Sequence, residues 1–121
     1  MSVMETNEVD IVVPVNDDGN TELIIVDQLP WAIDEGDHLV ALQDKFNAYL
    51  GYVEGGQLYR DFPRAKGQRV VIRINALYAP SANGEKFLAA IRPVAKQLDI
   101  ELVFDLWTRE RLSPGFPLQE F

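Results

Sequence analysis

Residues 34–56, DEGDHLVALQDKFNAYLGYVEGG, decide the fold class, because here the hydrophobic period of the chain changes to the helical value of about 3.6. Leu39, Leu42, Phe46, Tyr49, Leu50 and Val53 fall on one stripe, and Gly55-Gly56 closes the segment. Asp34 can act as N-cap. Glu35 and Asp37 place negative charge in the first turn, where the helix dipole favours it. A helix with a single apolar stripe must bury that stripe against another element, and the segments on both sides read as strands.

Upstream, Val9 to Val15 and Leu23 to Val26 are β-branched and aliphatic runs. Asp17-Asp18-Gly19-Asn20 between them tolerates the positive φ of a tight connection, so the pair reads as a β-hairpin. Leu29-Pro30-Trp31 then ends the second strand, since proline has no N–H for a ladder. Downstream, after a connection through Tyr59, Phe62 and Pro63, residues 69–78 alternate. Val70, Ile72, Ile74 and Ala76 take one face, and Arg69, Val71, Arg73 and Asn75 the other. A second helix starts at Ser81 or Asn83, with Phe87, Ile91, Val94 and Leu98 as its stripe and with Pro93 expected to kink or divide it. Ile100 to Leu106 alternates again, with Ile100, Leu102, Phe104 and Leu106 inward.

The expected fold is therefore α+β and two-layered, with element order ββαβαβ and a mixed four-stranded sheet carrying two helices on one face. The last two strands are expected to be parallel, joined by a right-handed crossover. A chain of 121 residues fits a single domain, with a core over about residues 9–106 and an irregular tail over 107–121 that contains Pro114, Gly115 and Pro117.

Composition narrows the function classes. Hydrophobic residues at 47% and charged residues at 25% are the balance of a folded globular chain. The absence of cysteine removes disulfides, thiolate nucleophiles and thiolate-bound metals. No basic, apolar leader and no long apolar run is present, so a cytoplasmic location and no membrane association are expected. The net charge of −8 is unevenly spread: residues 1–57 hold twelve acids against Lys45 alone, a balance of −11, and residues 58–121 hold seven acids and ten bases, a balance of +3. If the third and fourth strands are neighbours, Arg69 and Arg73 stand beside Glu101 and Asp105 and are neutralised within the sheet. With no aromatic stacking platform or basic helix added, nucleic acid is not expected as a partner.

His38 is the one histidine, set among Asp34, Glu35 and Asp37. As an acid or base it would lack a nucleophile motif beside it, and its neighbouring acids point in different directions, so neither a catalytic constellation nor a metal site is assigned. No cofactor motif occurs. A helical projection places His38, Lys45, Tyr49 and Tyr52 along one polar edge of the apolar stripe and Gln43, Asn47 and Glu54 along the other. Trp31 either closes the end of the core or is an exposed anchor. Trp107, Phe116 and Phe121 pose the same question for the tail, which either folds back on the sheet or meets another chain. The candidate binding surface is Trp31, His38, Lys45, Tyr49, Tyr52, Trp107 and Phe116.

Asp27-Gln28-Leu29-Pro30-Trp31, followed by His38-Leu39, Leu42-Gln43, Lys45, Asn47, Tyr49-Leu50, Glu54 and Gly56, resembles a family of small bacterial proteins of unknown function. Its signature is D-x-L-x-W followed by H-L-x-x-L-Q-x-K-x-N-x-Y-L-x-x-x-E-x-G. The resemblance spans approximately residues 9–106, with Asp37 where glutamate and Gly55 where serine would be expected. It implies a shared domain and assigns no activity.

Two functional expectations follow. One is a protein-binding or assembly module, either a homo-oligomer or an acidic protein that masks a basic partner, motivated by the acidic first half and the aromatic tail. The other is a small enzyme using His38 as acid or base, with Lys45 and Tyr49 beside it in a groove along the first helix.

Overall fold

In a computed structural model, residues 11–106 are described and form a four-stranded sheet with three α-helices. The order is β1 (Ile11–Val13), β2 (Thr21–Asp27), α1 (Glu35–Glu54), α2 (Gln57–Asp61), a 3-10 turn (Pro63–Ala65), β3 (Val70–Ala76), α3 (Ala82–Gln97) and β4 (Ile100–Leu106). The expected α+β class, the ββαβαβ order of the main elements and the mixed sheet are all present. The short α2 and the 3-10 turn occupy the stretch read from sequence as plain connection.

The hairpin forms as an antiparallel β1–β2 pair with Ile11 opposite Ile24 and Val13 opposite Glu22. Asn16, one residue ahead of the expected turn quartet, organises it. Its side-chain Oδ1 accepts from the amides of Asp18 and Asn20, both at 2.9 Å, and its backbone N–H donates to the Asn20 carbonyl at 2.7 Å. Gly19 supplies the positive φ of 78° that the reversal requires.

Strand order follows chain order, β1-β2-β3-β4, and β2, β3 and β4 run parallel. The rows Leu23–Ile72–Leu102 and Ile25–Ile74–Phe104 lie level across the sheet. These rows, together with Leu42, Phe46, Tyr49 and Leu50 of α1 and Leu88, Ile91 and Ala95 of α3, form one apolar cluster, so both long helices cover the same face. The opposite face carries Glu22, Arg73, Glu101 and Asp105.

Three local expectations are corrected. Asp34 does occupy the N-cap position of α1, but with φ 52° and ψ 47°, and its side chain caps nothing; Asp is among the few residues that tolerate this left-handed geometry. The fully buried positions of α3 are Gly84, Leu88, Ile91 and Ala95; of the expected stripe, Ile91 is buried, Phe87 and Leu98 are half-buried against the core and Val94 is exposed. The helix is rotated so that its small residues meet neighbouring elements, as Gly84 does with Trp31. Pro93 lies inside α3 without dividing it, on the exposed side. Ser81 caps α3 as expected, its Oγ accepting from the Gly84 amide at 3.1 Å.

Candidate binding site at the carboxyl edge of the sheet

The parallel register sets Asp27, Ala76 and Leu106 level with one another, so β2, β3 and β4 all end at one edge. The loops that follow β2 and β3, residues 28–34 and 77–81, therefore emerge side by side. In open sheets of parallel strands, ligand sites collect where such loops meet.

Asp27 anchors this edge from below. Its Oδ1 accepts from the Leu29 amide at 3.1 Å, which turns the chain out of the strand, and its Oδ2 lies 2.6 Å from Nε2 of His38. The indole of Trp31 stacks on the His38 ring with centroids 3.9 Å apart and an interplanar angle of 29°. Trp31 in turn sits on α3: a Cβ added at Gly84 would lie 2.8 Å from Cζ3 of Trp31. Glycine is required there for close approach of helix and ring. The stack joins β2, α1 and α3. Among the described residues, two of its buried atoms have no hydrogen-bond partner, Nδ1 of His38 and Nε1 of Trp31.

The sequence-derived candidates separate by depth. His38 is 1% exposed, Lys45 and Tyr49 are fully buried and Trp31 is 4% exposed, so these four do not line an open edge of α1. His38 is covered by the Trp31 indole and held by Asp27, and Tyr49 reaches the backbone of β2. The partner of His38 is Asp27, eleven residues earlier, and not the acids of its own turn. The phenol of Tyr49 donates to the Ile24 carbonyl at 2.7 Å, and the Lys45 ammonium lies 5.7 Å from the Tyr49 ring centroid. Tyr52 is half-buried and donates to Oδ2 of Asp61 at 2.9 Å. Burial first, and then the bond to the Asp61 carboxylate, pushes its phenol up to about 12, so it serves as a neutral donor. Gln43, Asn47 and Glu54 on the other flank are exposed. Trp107, Phe116 and Phe121 lie outside the described residues.

Sequence reasoning missed the surface above the stack. Pro30, Trp31, Ala32, Glu35, Tyr78, Ala79 and Ser81 line an open cavity of ≈ 540 Å³. The loops that frame it hold Ile33, 63% exposed, Leu77, 43% exposed, and Tyr78, 47% exposed. Three large apolar side chains are thus left in water on adjoining loops, and of these Tyr78 lines the cavity. Glu35 joins the helices: its Oε1 accepts from Nδ2 of Asn83 at 3.0 Å, and hydrogen bonds from Ser81 first and Asn83 second hold its carboxyl below the ordinary range. The signal was present in the sequence as apolar residues beside the strand ends, with Leu77 and Tyr78 read as the end of the third strand, but their convergence needed the parallel register.

The basic residues of β3 are answered as expected. Nη2 of Arg69 lies 2.9 Å from Glu101, and Arg73 reaches Glu22 at 2.9 Å and Asp105 at 3.5 Å. Among the described residues, no group of three or more His, Asp or Glu converges as a metal site would, and no helix is long and apolar enough to cross a membrane.

A family model matches residues 1–108. The chain belongs to the family of unknown function DUF6572. The match to this family takes in every described element, from the hairpin to β4, and hence the whole carboxyl edge. Comparison with curated proteins and with solved structures found no match.

Proposed function

We propose that this member of the family is a protein-binding module whose carboxyl edge docks a basic partner. The observation that carries the reading is the cavity at that edge lined by the exposed Tyr78, with Ile33 and Leu77 also exposed on the loops that bear it. An apolar centre with a charged surround is the usual anatomy of a non-obligate interface. The surround is acidic: Asp34 occupies the N-cap position of α1, Glu35 and Asp37 lie in its first turn, and Glu85 lies in the first turn of α3. With a net charge of −8, the chain attracts a basic protein and steers its approach. Trp31 contributes the floor of the contact, His38, Lys45 and Tyr49 support it from the core, and Trp107 and Phe116 remain part of the proposed contact set.

The test is affinity capture by the immobilised chain, followed by reconstitution with the purified captured protein, alongside sedimentation of the free chain. Support requires a basic protein whose reconstituted binding weakens at high salt and is lost in Ile33→Asp and Tyr78→Asp variants. A chain that sediments as a monomer and retains nothing, or a partner indifferent to both substitutions, overturns the reading. A self-associating chain disrupted by the same substitutions would make the partner a second copy.

The acid–base alternative draws on one observation, an imidazole oriented by a carboxylate at 2.6 Å. Trp31 covers that imidazole, so catalysis would require the indole to swing aside. Native-state modification of His38 by an imidazole-selective acylating reagent, as fast as in a Trp31→Ala variant, would favour it over the binding reading.

A further inference from the structure

We infer that the carboxyl-edge cavity receives a cationic side chain of the partner, arginine in preference to lysine, with Glu35 as its counter-ion and Tyr78 as its stacking surface. The inference rests on the binding reading above and supplies its anchor.

The cavity wall combines three chemistries. Pro30 and Ala79 are apolar, Trp31 and Tyr78 are aromatic, and Glu35 is the one charged group among the described residues that line it. An apolar wall with a single carboxylate accommodates a long aliphatic stem ending in a positive charge, which is the shape of lysine and arginine. An aromatic ring beside that carboxylate adds attraction for the cation face-on, and a planar guanidinium uses both at once better than an ammonium does.

Glu35 is ready to act as a counter-ion. It is fixed by Asn83 at 3.0 Å and by Ser81, whose Oγ also accepts from the Gly84 amide at 3.1 Å, so its position is set before any ligand arrives. The amino ends of α1 and α3 each contribute a partial positive charge of roughly one half. Against these stand four carboxylates, those of Asp34, Glu35, Asp37 and Glu85, offset in part by Lys86 next to Glu85. The local field therefore remains negative, and a cation is the favoured occupant.

The experiment titrates the isotope-labelled full chain with the Nα-acetyl methylamides of arginine, lysine, norleucine and glutamate, following backbone amide shifts. Saturable shifts centred on Ile33, Glu35, Tyr78 and Ser81 are expected with arginine, weaker ones with lysine, and only small ones with norleucine or glutamate. Affinity for arginine is expected to fall about fivefold in Glu35→Gln, whose amide oxygen still accepts from Asn83 and Ser81 and so preserves the fold. Tyr78→Ala, at an exposed position, is expected to reduce it about threefold. Norleucine binding as well as arginine, unchanged affinity in Glu35→Gln, or shifts scattered over the surface each overturn the inference. If these probes fail while a captured partner is still lost on Ile33→Asp, the cation pocket falls and the binding reading stands. If the partner is absent as well, both fall.

Discussion

Asp27 and His38 are the residues whose placement matters most beneath the candidate site, because both are almost fully buried and each is the other's partner. Removing one leaves a polar atom in the core without a hydrogen bond, at a cost of about 1–3 kcal/mol, more if the remaining group is charged. Urea unfolding of His38→Phe, which keeps an aromatic ring against Trp31, should show such a loss, and the double variant with Asp27→Leu should lose less than the sum of the two single changes. Gly84 offers a second check. A methyl group there would lie 2.8 Å from the Trp31 ring and 3.0 Å from Pro80, contacts too short to keep. Gly84→Ala should therefore destabilise by about 1–3 kcal/mol despite alanine's better helix propensity, and should change the near-ultraviolet circular dichroism of Trp31. Neither pairing was legible beforehand. His38 meets Asp27 across eleven residues and Trp31 meets Gly84 across more than fifty, and no local pattern encodes such contacts.

Among the elements, the strands and the two long helices were read correctly because their apolar periods, two and about 3.6, are local properties. Rotation was harder. For α1 the stripe predicted from sequence is largely the buried one, and its flank is buried as well, drawing in His38 and Lys45. For α3 the buried positions include Gly84 and Ala95, small residues that a search for large apolar side chains passes over. Pro93 belongs to this scale. It stands twelve positions into α3, where proline removes the hydrogen bond to the Ala89 carbonyl, yet the helix continues to Gln97, with Ile91 before it and Ala95 after it both buried in the core. Pro93→Ala restores that bond at an exposed position and is expected to stabilise the chain by about 1–3 kcal/mol, read as a higher urea midpoint with an unchanged slope. An unchanged midpoint would show that the helix already relaxes around the ring.

For the whole molecule, charge is organised by the sheet. Burial by itself would raise the Glu22 carboxyl, but hydrogen bonds from Arg73 and Asn16 and the charge of Arg73 outweigh it, and the net shift is downward. Glu35 is lowered too. A carboxyl lowered in the folded state contributes stability above the unfolded value of 4.5, and that contribution is lost as pH falls through the lower folded value. Stability should thus hold down to about pH 5 and decline below it, with a shallower decline in Glu22→Gln, as followed by thermal unfolding between pH 6 and pH 3. The sequence by itself determined the class of fold, the elements and the acidic balance, since these depend on composition and on spacing along one strand or helix, whereas the pairing of Arg69 and Arg73 with Glu101 and Asp105 also needed β3 and β4 to be neighbours. Only the tertiary structure decided that β2, β3 and β4 end level, that His38, Lys45 and Tyr49 lie inside, and that Ile33, Glu35 and Tyr78 share one edge. The physical reason is that a parallel crossover brings together loops more than forty residues apart in the chain, and which side chains are then sealed or left in water is set by what packs over them.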